Sequence, residues 1–243
     1  MARILITGST DGFGLEAARQ LVERNHTVYL HARNQERAND VKAKCPGAAG
    51  MLIADLTSVT ETRKLVEEAN AIGTFDAIIH NAGLFLGPFR KTPDTGMPAM
   101  VFVNLIAPYI LSCLLKQPKR LIFISSTLHK QANTDVKDTF WFERGENEWQ
   151  DSQAKAVEGH FGHVCASWMG CYQAWRSRSS DKLEDGVETY VMLAEGDYDQ
   201  SLTGVYFDPK KKLGEPIAAT ADENLQEVVV KACEDITGIK LGA

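Results

Sequence analysis

Several features that define other protein classes are missing from this sequence. It has no extended basic run, and 26 Lys and Arg against 32 Asp and Glu give a formal charge of -6, which disfavours a nucleic-acid partner. The start, MARILITG, is too short for a signal peptide. The longest apolar segment, residues 101–115, is interrupted by Asn104 and Pro108 and is shorter than the roughly 20 residues that cross a bilayer. We therefore expect a soluble cytoplasmic protein without a membrane span.

Cysteine, leucine and isoleucine are unevenly distributed. The five cysteines, an odd number, lie at irregular spacing, which suits a reducing compartment better than a disulfide framework. Neither leucine nor isoleucine occurs between Leu128 and Leu183. The stretch from Glu148 to Trp175 instead holds three of the four tryptophans, two of the five cysteines and two of the six histidines. This segment therefore lacks two of the residue types that most often fill the core of a domain.

The apolar residues outside that segment follow the alternation of an α/β protein. Short β-rich runs at residues 3–8, 27–32, 50–55, 75–80 and 120–126 alternate with segments of helical periodicity, as in successive βαβ units. Residues 223–238 predict one more amphipathic helix, which ends at a glycine. We predict a doubly wound parallel sheet of Rossmann type, formed by a single domain of residues 1–243 with an anomalous segment at about residues 149–178.

The first predicted strand runs directly into the turn TGSTDGFG at residues 7–14. Glycines in such a turn let the backbone approach a pyrophosphate, which the N–H groups at the following helix N-terminus can bind. Four more motifs follow in order: Asp55 after the third strand, NAG at residues 81–83, Asn104, and ISS at residues 124–126. Together the five resemble the short-chain dehydrogenase/reductase family, and STDGFGLEAARQLVERNHTVYLHARN is similar to its retinol-dehydrogenase-like branch.

The resemblance implies a dinucleotide site in the first half of the chain. The turn would surround the pyrophosphate, Asp55 and Leu56 would contact the adenine, and the NAG residues would lie beside the ribose. A turn or helix-capping role remains the alternative for Asp55. The implied cofactor-binding residues are Gly8, Ser9, Thr10, Gly12, Phe13, Gly14, Arg33, Asp55, Leu56, Asn81, Ala82 and Gly83.

The residues after the second strand bear on which nicotinamide cofactor binds. Ala32 stands where an NAD-specific enzyme carries a carboxylate for the ribose 2′-hydroxyl, and Arg33 offers a cation to a 2′-phosphate. We therefore expect NADP(H) to be preferred, with NAD(H) as the second choice. The alternative is that Arg33 is a solvated surface residue.

The family resemblance implies a catalytic set of Asn, Ser, Tyr and Lys. Asn104 and Ser126, with Ser125 beside it, match the first two, whereas Trp149 and Gln153 occupy the Tyr and Lys positions. An indole N–H is no acid near neutral pH and glutamine carries no charge, so neither can relay the proton. The implied reaction is oxidoreduction of a small-molecule alcohol or carbonyl, with very low turnover in this chain.

Three explanations compete for the anomalous segment. His160, His163, Cys165 and Cys171 match no standard zinc spacing, so we predict no metal site. A divergent aromatic lid would explain the tryptophans but not the missing leucine and isoleucine. We favour the third explanation, a displaced reading frame.

The frame explanation rests on codons. Starting one base later, possible codons for residues 153–159 encode KLKLLKA, and those for residues 167–175 can encode PGWAATKLG, which resembles an element of this family branch. Trp168 and Met169 have single codons, which together with the next G must become Gly-Trp. Trp149 lies before the shift, which therefore does not explain the missing tyrosine.

Two rival functions compete with oxidoreduction, and one of them stays open. One is a catalytically silent nucleotide-binding protein that acts through interactions. The other, an extended epimerase or dehydratase, is disfavoured because no large C-terminal substrate domain is present. The family resemblance also allows a homodimer. Dimers of this family commonly pack through two helices, which here would include residues 105–115 and the anomalous segment.

Overall fold

The computed structural model of the chain describes residues 1–84, 88–125, 140, 172–175 and 183–242, with residues 172–175 and 184–185 described through their backbone alone. Its centre is an eight-stranded sheet in the order β3-β2-β1-β4-β5-β6-β7-β8. The strands are β1 Arg3–Ile6, β2 Thr27–Ala32, β3 Gly50–Ile53, β4 Ala77–His80, β5 Arg120–Ser125, β6 Tyr172–Trp175, β7 Tyr206–Asp208 and β8 Lys212–Leu213.

The first five strands confirm the predicted parallel sheet. β1 lies between β2 and β4, with Ile4 paired to Val28 on one side and to Ala77 on the other. The chain therefore leaves β1 in one direction and returns to its other edge, which places a topological switch point between β1 and β4. Only the short β8 is antiparallel to its neighbour among the described strands, where Phe207 pairs with Leu213.

Helices cover both faces of the sheet. They are α1 Gly12–Glu23, α2 Gln35–Lys42, α3 Val59–Ile72, α4, α5 Leu183–Glu195 and α6 Glu223–Thr237. Helix α4 consists of α-helical Ala99–Val101 and Ala107–Leu114, joined by π-helical Phe102–Ile106. The predicted last helix is confirmed: Asp222 caps its first turn, and Gly238 ends it with a left-handed φ of 66°.

Alternate residues of each strand face opposite layers of helices. Leu5 and Ile78 belong to an apolar cluster with residues of α3, α4 and α6, whereas Ile4 and Ile79 belong to one with residues of α1, α2 and α5. This is the two-sided burial that near-continuous apolar strands predict. Among the described helices, none has the length and apolar character needed to cross a membrane.

Candidate functional site

A cleft of about 450 Å³ opens at the carboxyl ends of β1, β2, β3 and β4. This is the edge at which ligands bind in open α/β sheets, next to the switch point, and the volume is in the ordinary range for small-molecule sites. Eight of the sequence-predicted residues line it: Gly8, Thr10, Arg33, Asp55, Leu56, Asn81, Ala82 and Gly83. The structure thus brings together the residues that follow four separate strands.

The glycine turn packs directly against the segment that follows β4. Gly8 has a left-handed φ of 61°, and a Cβ there would lie 2.7 Å from the Cα of Ala82. A Cβ on Gly14 would lie 2.4 Å from the Nδ2 of Asn81. The Gly14 Cβ would also lie 2.7 Å from the Gly8 carbonyl oxygen, so neighbouring backbone atoms leave no room for a side chain at either position.

Asn81 and Thr7 join these two segments by hydrogen bonds. The Asn81 Nδ2 donates to the carbonyls of Thr7 and Gly8, at 3.0 and 2.8 Å. The Thr7 Oγ1 accepts from the backbone N–H groups of Asn81 and Ala82, each at 3.0 Å. The Asn81 amide therefore holds the turn, a role that its position in a predicted ribose site did not suggest.

Ser9, Gly12, Phe13 and Gly14, the other predicted residues of the turn, do not line the cleft. Ser9 is fully buried, and its Oγ donates to the carbonyl of Ile6 at 2.9 Å. Phe13 stacks on Tyr190 with ring centroids 6.2 Å apart. Gly12 begins α1 with a φ of 52°. These residues shape the turn and attach it to α5.

His31 lines the cleft and is almost fully buried. Its Nδ1 accepts from the Gly8 N–H at 3.0 Å, and its Nε2 lies 3.0 Å from the carbonyl oxygen of Ala54. Burial lowers the pKa of His31 from its usual 6.5 to about 4, against smaller opposing effects of the Ala54 bond and the Asp55 charge. The ring is therefore neutral at physiological pH. Nothing in the sequence motif indicated this residue.

Cations outnumber carboxylates among the described residues that line the cleft. Arg33, Arg90 and Lys91 are exposed there. Arg37 donates to the Thr10 Oγ1 at 3.2 Å and forms an ion pair with Asp11. With Asp55 as the other carboxylate, the lining carries net positive charge in a chain of net charge -6. Such a lining attracts an anionic ligand.

A short hairpin brings Arg90 and Lys91 to the cleft. The Ala99 N–H donates to the Arg90 carbonyl at 2.7 Å, and the Thr92 N–H donates to the Met97 carbonyl at 2.8 Å. Asp94, between them, accepts from the Ser58 Oγ and the Val59 N–H at the start of α3, each at 2.8 Å. A carboxylate at a helix N-terminus is favourable, so Asp94 anchors the hairpin there.

Asp55 forms a local turn and also faces the cleft. Its Oδ1 accepts from the Thr57 N–H at 2.9 Å and from the Thr57 Oγ1 at 2.8 Å. This is the turn role that was considered for it in the sequence. Because only Oδ1 takes part in those bonds, the turn does not use the second carboxylate oxygen.

Of the predicted catalytic residues, Asn104 is described and lies in the π-helical turn of α4. Its amide forms a reciprocal pair with Leu84: Nδ2 donates to the Leu84 carbonyl at 2.9 Å, and Oδ1 accepts from the Leu84 N–H at 2.8 Å. Ser125 is buried at the end of β5. Ser126, Trp149 and Gln153 lie outside the described residues, as do His160, His163, Cys165 and Cys171. No potential metal cluster occurs among the residues that the structure describes.

His80 is a second buried histidine, at the end of β4. Its Nε2 lies 3.2 Å from the Ser112 Oγ, and its ring lies 4.6 Å from that of Phe123. Burial lowers the pKa of His80 to about 3. Both His31 and His80 are therefore uncharged in the fold, although each would take up a proton near pH 6.5 in the unfolded chain.

We predict that stability falls as the pH is lowered from about 7 to about 5. Below about pH 6.5 the unfolded chain binds protons at His31 and His80 that the folded chain excludes, so the free energy of unfolding decreases. Each histidine contributes a slope of up to about 1.4 kcal/mol per pH unit. The stability that the two neutral histidines contribute is complete above their unfolded pKa of about 6.5. It is lost progressively as the pH falls towards their folded pKa values. Urea unfolding at several pH values measures the slope, and a His80→Gln variant with an unchanged slope would contradict the assignment.

Comparisons with known proteins agree with this geometry. The family described as short chain dehydrogenase matches residues 2–136. The short-chain dehydrogenase chyC of Penicillium rubens is 68% identical over the full length of both chains. Human retinol dehydrogenase 14 is 29% identical over 56% of this chain and 47% of its own length. The crystal structure of a metagenomic short-chain oxidoreductase in complex with NADP is 22% identical, with a TM-score of 0.61 over 86% of this chain and 97% of that one.

Proposed function

Because the chain belongs to the short-chain dehydrogenase family, whose members are oxidoreductases that use a nicotinamide cofactor, we propose that it binds NADP(H) in preference to NAD(H). The substrate we propose is a small-molecule alcohol or carbonyl. We also propose that residues 1–243 form one domain, which the two apolar clusters on one sheet support.

The observation that carries the cofactor proposal is the charge of the cleft. Arg33 follows the end of β2 directly and is exposed at the cleft, while Ala32 is buried and offers no carboxylate. A carboxylate after this strand binds a ribose 2′-hydroxyl and repels a 2′-phosphate, whereas a guanidinium can bind the phosphate by two parallel hydrogen bonds. That the distant structural relative was crystallised with NADP is consistent with this choice.

The described contacts support different roles for the predicted cofactor residues. We propose that Gly8 and Thr10 face the pyrophosphate, and that Asp55 and Leu56 border the adenine. Asn81, Ala82 and Gly83 would lie beside a ribose, while the Asn81 amide also holds the turn.

We predict that NADPH binds more tightly than NADH and that Arg33→Ala removes most of the difference. Charge-assisted hydrogen bonds contribute about 1.5–3 kcal/mol, so the variant should weaken NADPH binding by roughly 10–100-fold and leave NADH binding nearly unchanged. Nicotinamide fluorescence titration of both cofactors measures this. Arg19→Ala is the matched control, because Arg19 is exposed on α1 and pairs with Glu16 away from the cleft.

Two results would reject the proposal in different ways. Equal or reversed affinities of the unmodified chain for NADPH and NADH would overturn the cofactor preference. Failure of both cofactors to bind would overturn the dinucleotide site itself. An equal loss of NADPH affinity in the Arg33 and Arg19 variants would show a nonspecific charge effect and reject the role of Arg33.

We further propose that turnover in this chain is impaired, because Trp149 and Gln153 stand at the family's Tyr and Lys positions. A catalytically silent nucleotide-binding protein is the second candidate, and the same substitutions favour it. An assay of carbonyl reduction separates the impaired enzyme from the silent binding protein. Both would bind NADPH, but only the enzyme would oxidise it.

A further inference from the structure

We infer that His31 is a positioning residue of the cleft, which fixes the glycine turn after β1 to the end of β3 through one imidazole ring. The inference rests on the proposed function, because the turn and the β3 end are proposed to hold opposite parts of the cofactor. His31 itself is not assigned a contact with the reacting atoms.

The two contacts of the ring determine its hydrogen positions. A carbonyl oxygen can only accept, so the Nε2 that lies 3.0 Å from the Ala54 oxygen carries the hydrogen. A neutral imidazole then has an acceptor at Nδ1, where the Gly8 N–H donates at 3.0 Å. Neutral His31 thus satisfies a donor on one loop and an acceptor on another.

The backbone of His31 reinforces the link to the turn. The His31 N–H donates to the Ser9 Oγ at 2.9 Å, and the Ser9 N–H donates to the His31 carbonyl at 3.2 Å. Side chain and backbone therefore hold Gly8 and Ser9 together against the end of β2. The ring adds the connection to β3, because Ala54 directly follows Ile53, the last residue of that strand, and precedes Asp55.

The Gly8 peptide is the point at which His31 can affect ligand binding. Its N–H is held by His31, and its carbonyl accepts from the Asn81 Nδ2 at 2.8 Å. Without the acceptor at Nδ1, the partly buried Gly8 N–H would lose that partner, which is costly. Rotation of this peptide would also disturb the bond to Asn81, so the turn would lose its position relative to the NAG segment.

Protonation of the ring would have the same local effect as removing it. A charged imidazole has N–H groups on both nitrogens, so two donors would face each other at Gly8. Asp55 is the charged neighbour that acts on the ring, and it favours the proton, while burial opposes it more strongly. The other ionisable groups of the cleft near the turn and β2 are Asp11, Arg33 and Arg37, whose formal charges sum to +1.

Two side-chain replacements separate the two bonds. Asn places an oxygen where Nδ1 lies and can still accept from Gly8, whereas Gln places its amide N–H₂ near Nε2 and can still donate to Ala54. We expect His31→Asn to weaken NADP⁺ binding about threefold and His31→Gln about tenfold or more. His31→Leu should bind NADP⁺ at least as weakly as the Gln variant does. Isothermal titration calorimetry gives the dissociation constants. NADP⁺ is used because the oxidised cofactor is stable at the acidic pH values of the profile described below.

A matched control lies outside the cleft. His26 also accepts a backbone N–H at Nδ1, from Ala2 at 3.0 Å, and contacts Glu195 through Nε2. His26→Leu therefore removes a similar pair of bonds and should leave NADP⁺ affinity unchanged. If it weakens binding as much as His31→Leu, a general loss of stability explains the effect and the inference is rejected.

The pH profile distinguishes positioning from a purely structural role. In the unmodified chain NADP⁺ affinity should fall as the pH is lowered from about 6 to about 4, beyond the titration of the 2′-phosphate itself. His31→Asn lacks the imidazole but keeps the other ionisable groups of the cleft and of NADP⁺, so the ratio of the two affinities isolates the histidine. A constant ratio overturns the inference.

A measurement without cofactor keeps the two proposals separable. The NMR resonance of the Gly8 amide in the unmodified chain should shift with a midpoint near pH 4, and no variant has to fold for this test. Absence of that shift overturns the His31 link, whatever binds. A normal shift together with no binding of NADP⁺ or NAD⁺ instead overturns the proposed function, and with it the role of His31 in cofactor binding.

Discussion

Purified protein of this sequence is expected to oxidise NADPH with carbonyl substrates very slowly, although it binds the cofactor. The Tyr and Lys of the family relay a proton to the substrate oxygen, and Trp149 and Gln153 cannot. General acid–base catalysis typically contributes about 10²–10⁴-fold, or roughly 3–5 kcal/mol of barrier. We expect the rate to be lower by that factor than in a chain with a functional relay.

The comparison uses a Trp149→Tyr, Gln153→Lys double variant across a panel of aldehydes and ketones. NADPH affinity is measured for both proteins, because it separates a defect in proton transfer from a defect in cofactor binding. Rapid turnover by the unmodified chain would refute the impaired site. It would require another acid, and Tyr172 is the only tyrosine between residues 149 and 182.

The second large effect concerns stability, and we expect it when the reading frame of the anomalous segment is restored. We propose that codons from about residue 153 to about residue 178 are displaced by one base, so that the chain lacks the apolar residues of a core helix. Each large apolar side chain that is not buried forfeits about 1.5–3 kcal/mol, and several such losses equal the whole stability of a domain, about 5–15 kcal/mol. A chain with the frame restored should therefore unfold at a substantially higher urea concentration.

The comparison with the Penicillium relative supports a defect inside the chain. The alignment covers both proteins completely and runs over 265 positions, against 243 residues here, a difference of at least 22. Because both ends are matched, the additional positions are internal. A missing coding segment would produce such a difference, whereas a one-base displacement or a divergent lid of equal length would not by itself.

The sequence predicted the central sheet because its first five strands are short, mostly apolar runs with buried residues in each. β1 to β5 were predicted within a few residues at each end, and the burial of Ile4, Leu5 and Ile6 on alternating faces explains why. β7 and β8 were not predicted, since they have three and two residues and β8 is exposed. β6 lies in the anomalous segment, where the residue pattern gives no strand signal.

The site was predictable where a motif fixes it along the chain and not where tertiary contacts assemble it. The glycine turn, Asp55 and the NAG segment each follow a strand, so their meeting at one edge follows from the parallel sheet. Arg90 and Lys91 reach the cleft on a hairpin that Asp94 anchors to α3, which is a tertiary contact. His31 reads as part of an apolar strand, and only the folded turn supplies the partners of its ring.

The most direct test of the account is the nucleotide sequence of the locus and its transcript across the codons for residues 149–183. We propose that the cofactor cleft is followed by a catalytic segment read in the wrong frame. The shifted frame should then restore DSKL and GWxxTKxG without a stop codon, in the genome or in the mature transcript. If the confirmed transcript encodes residues 149–183 as printed, and the shifted frame contains a stop or no family-like peptide, the frame explanation is wrong and the aromatic lid replaces it.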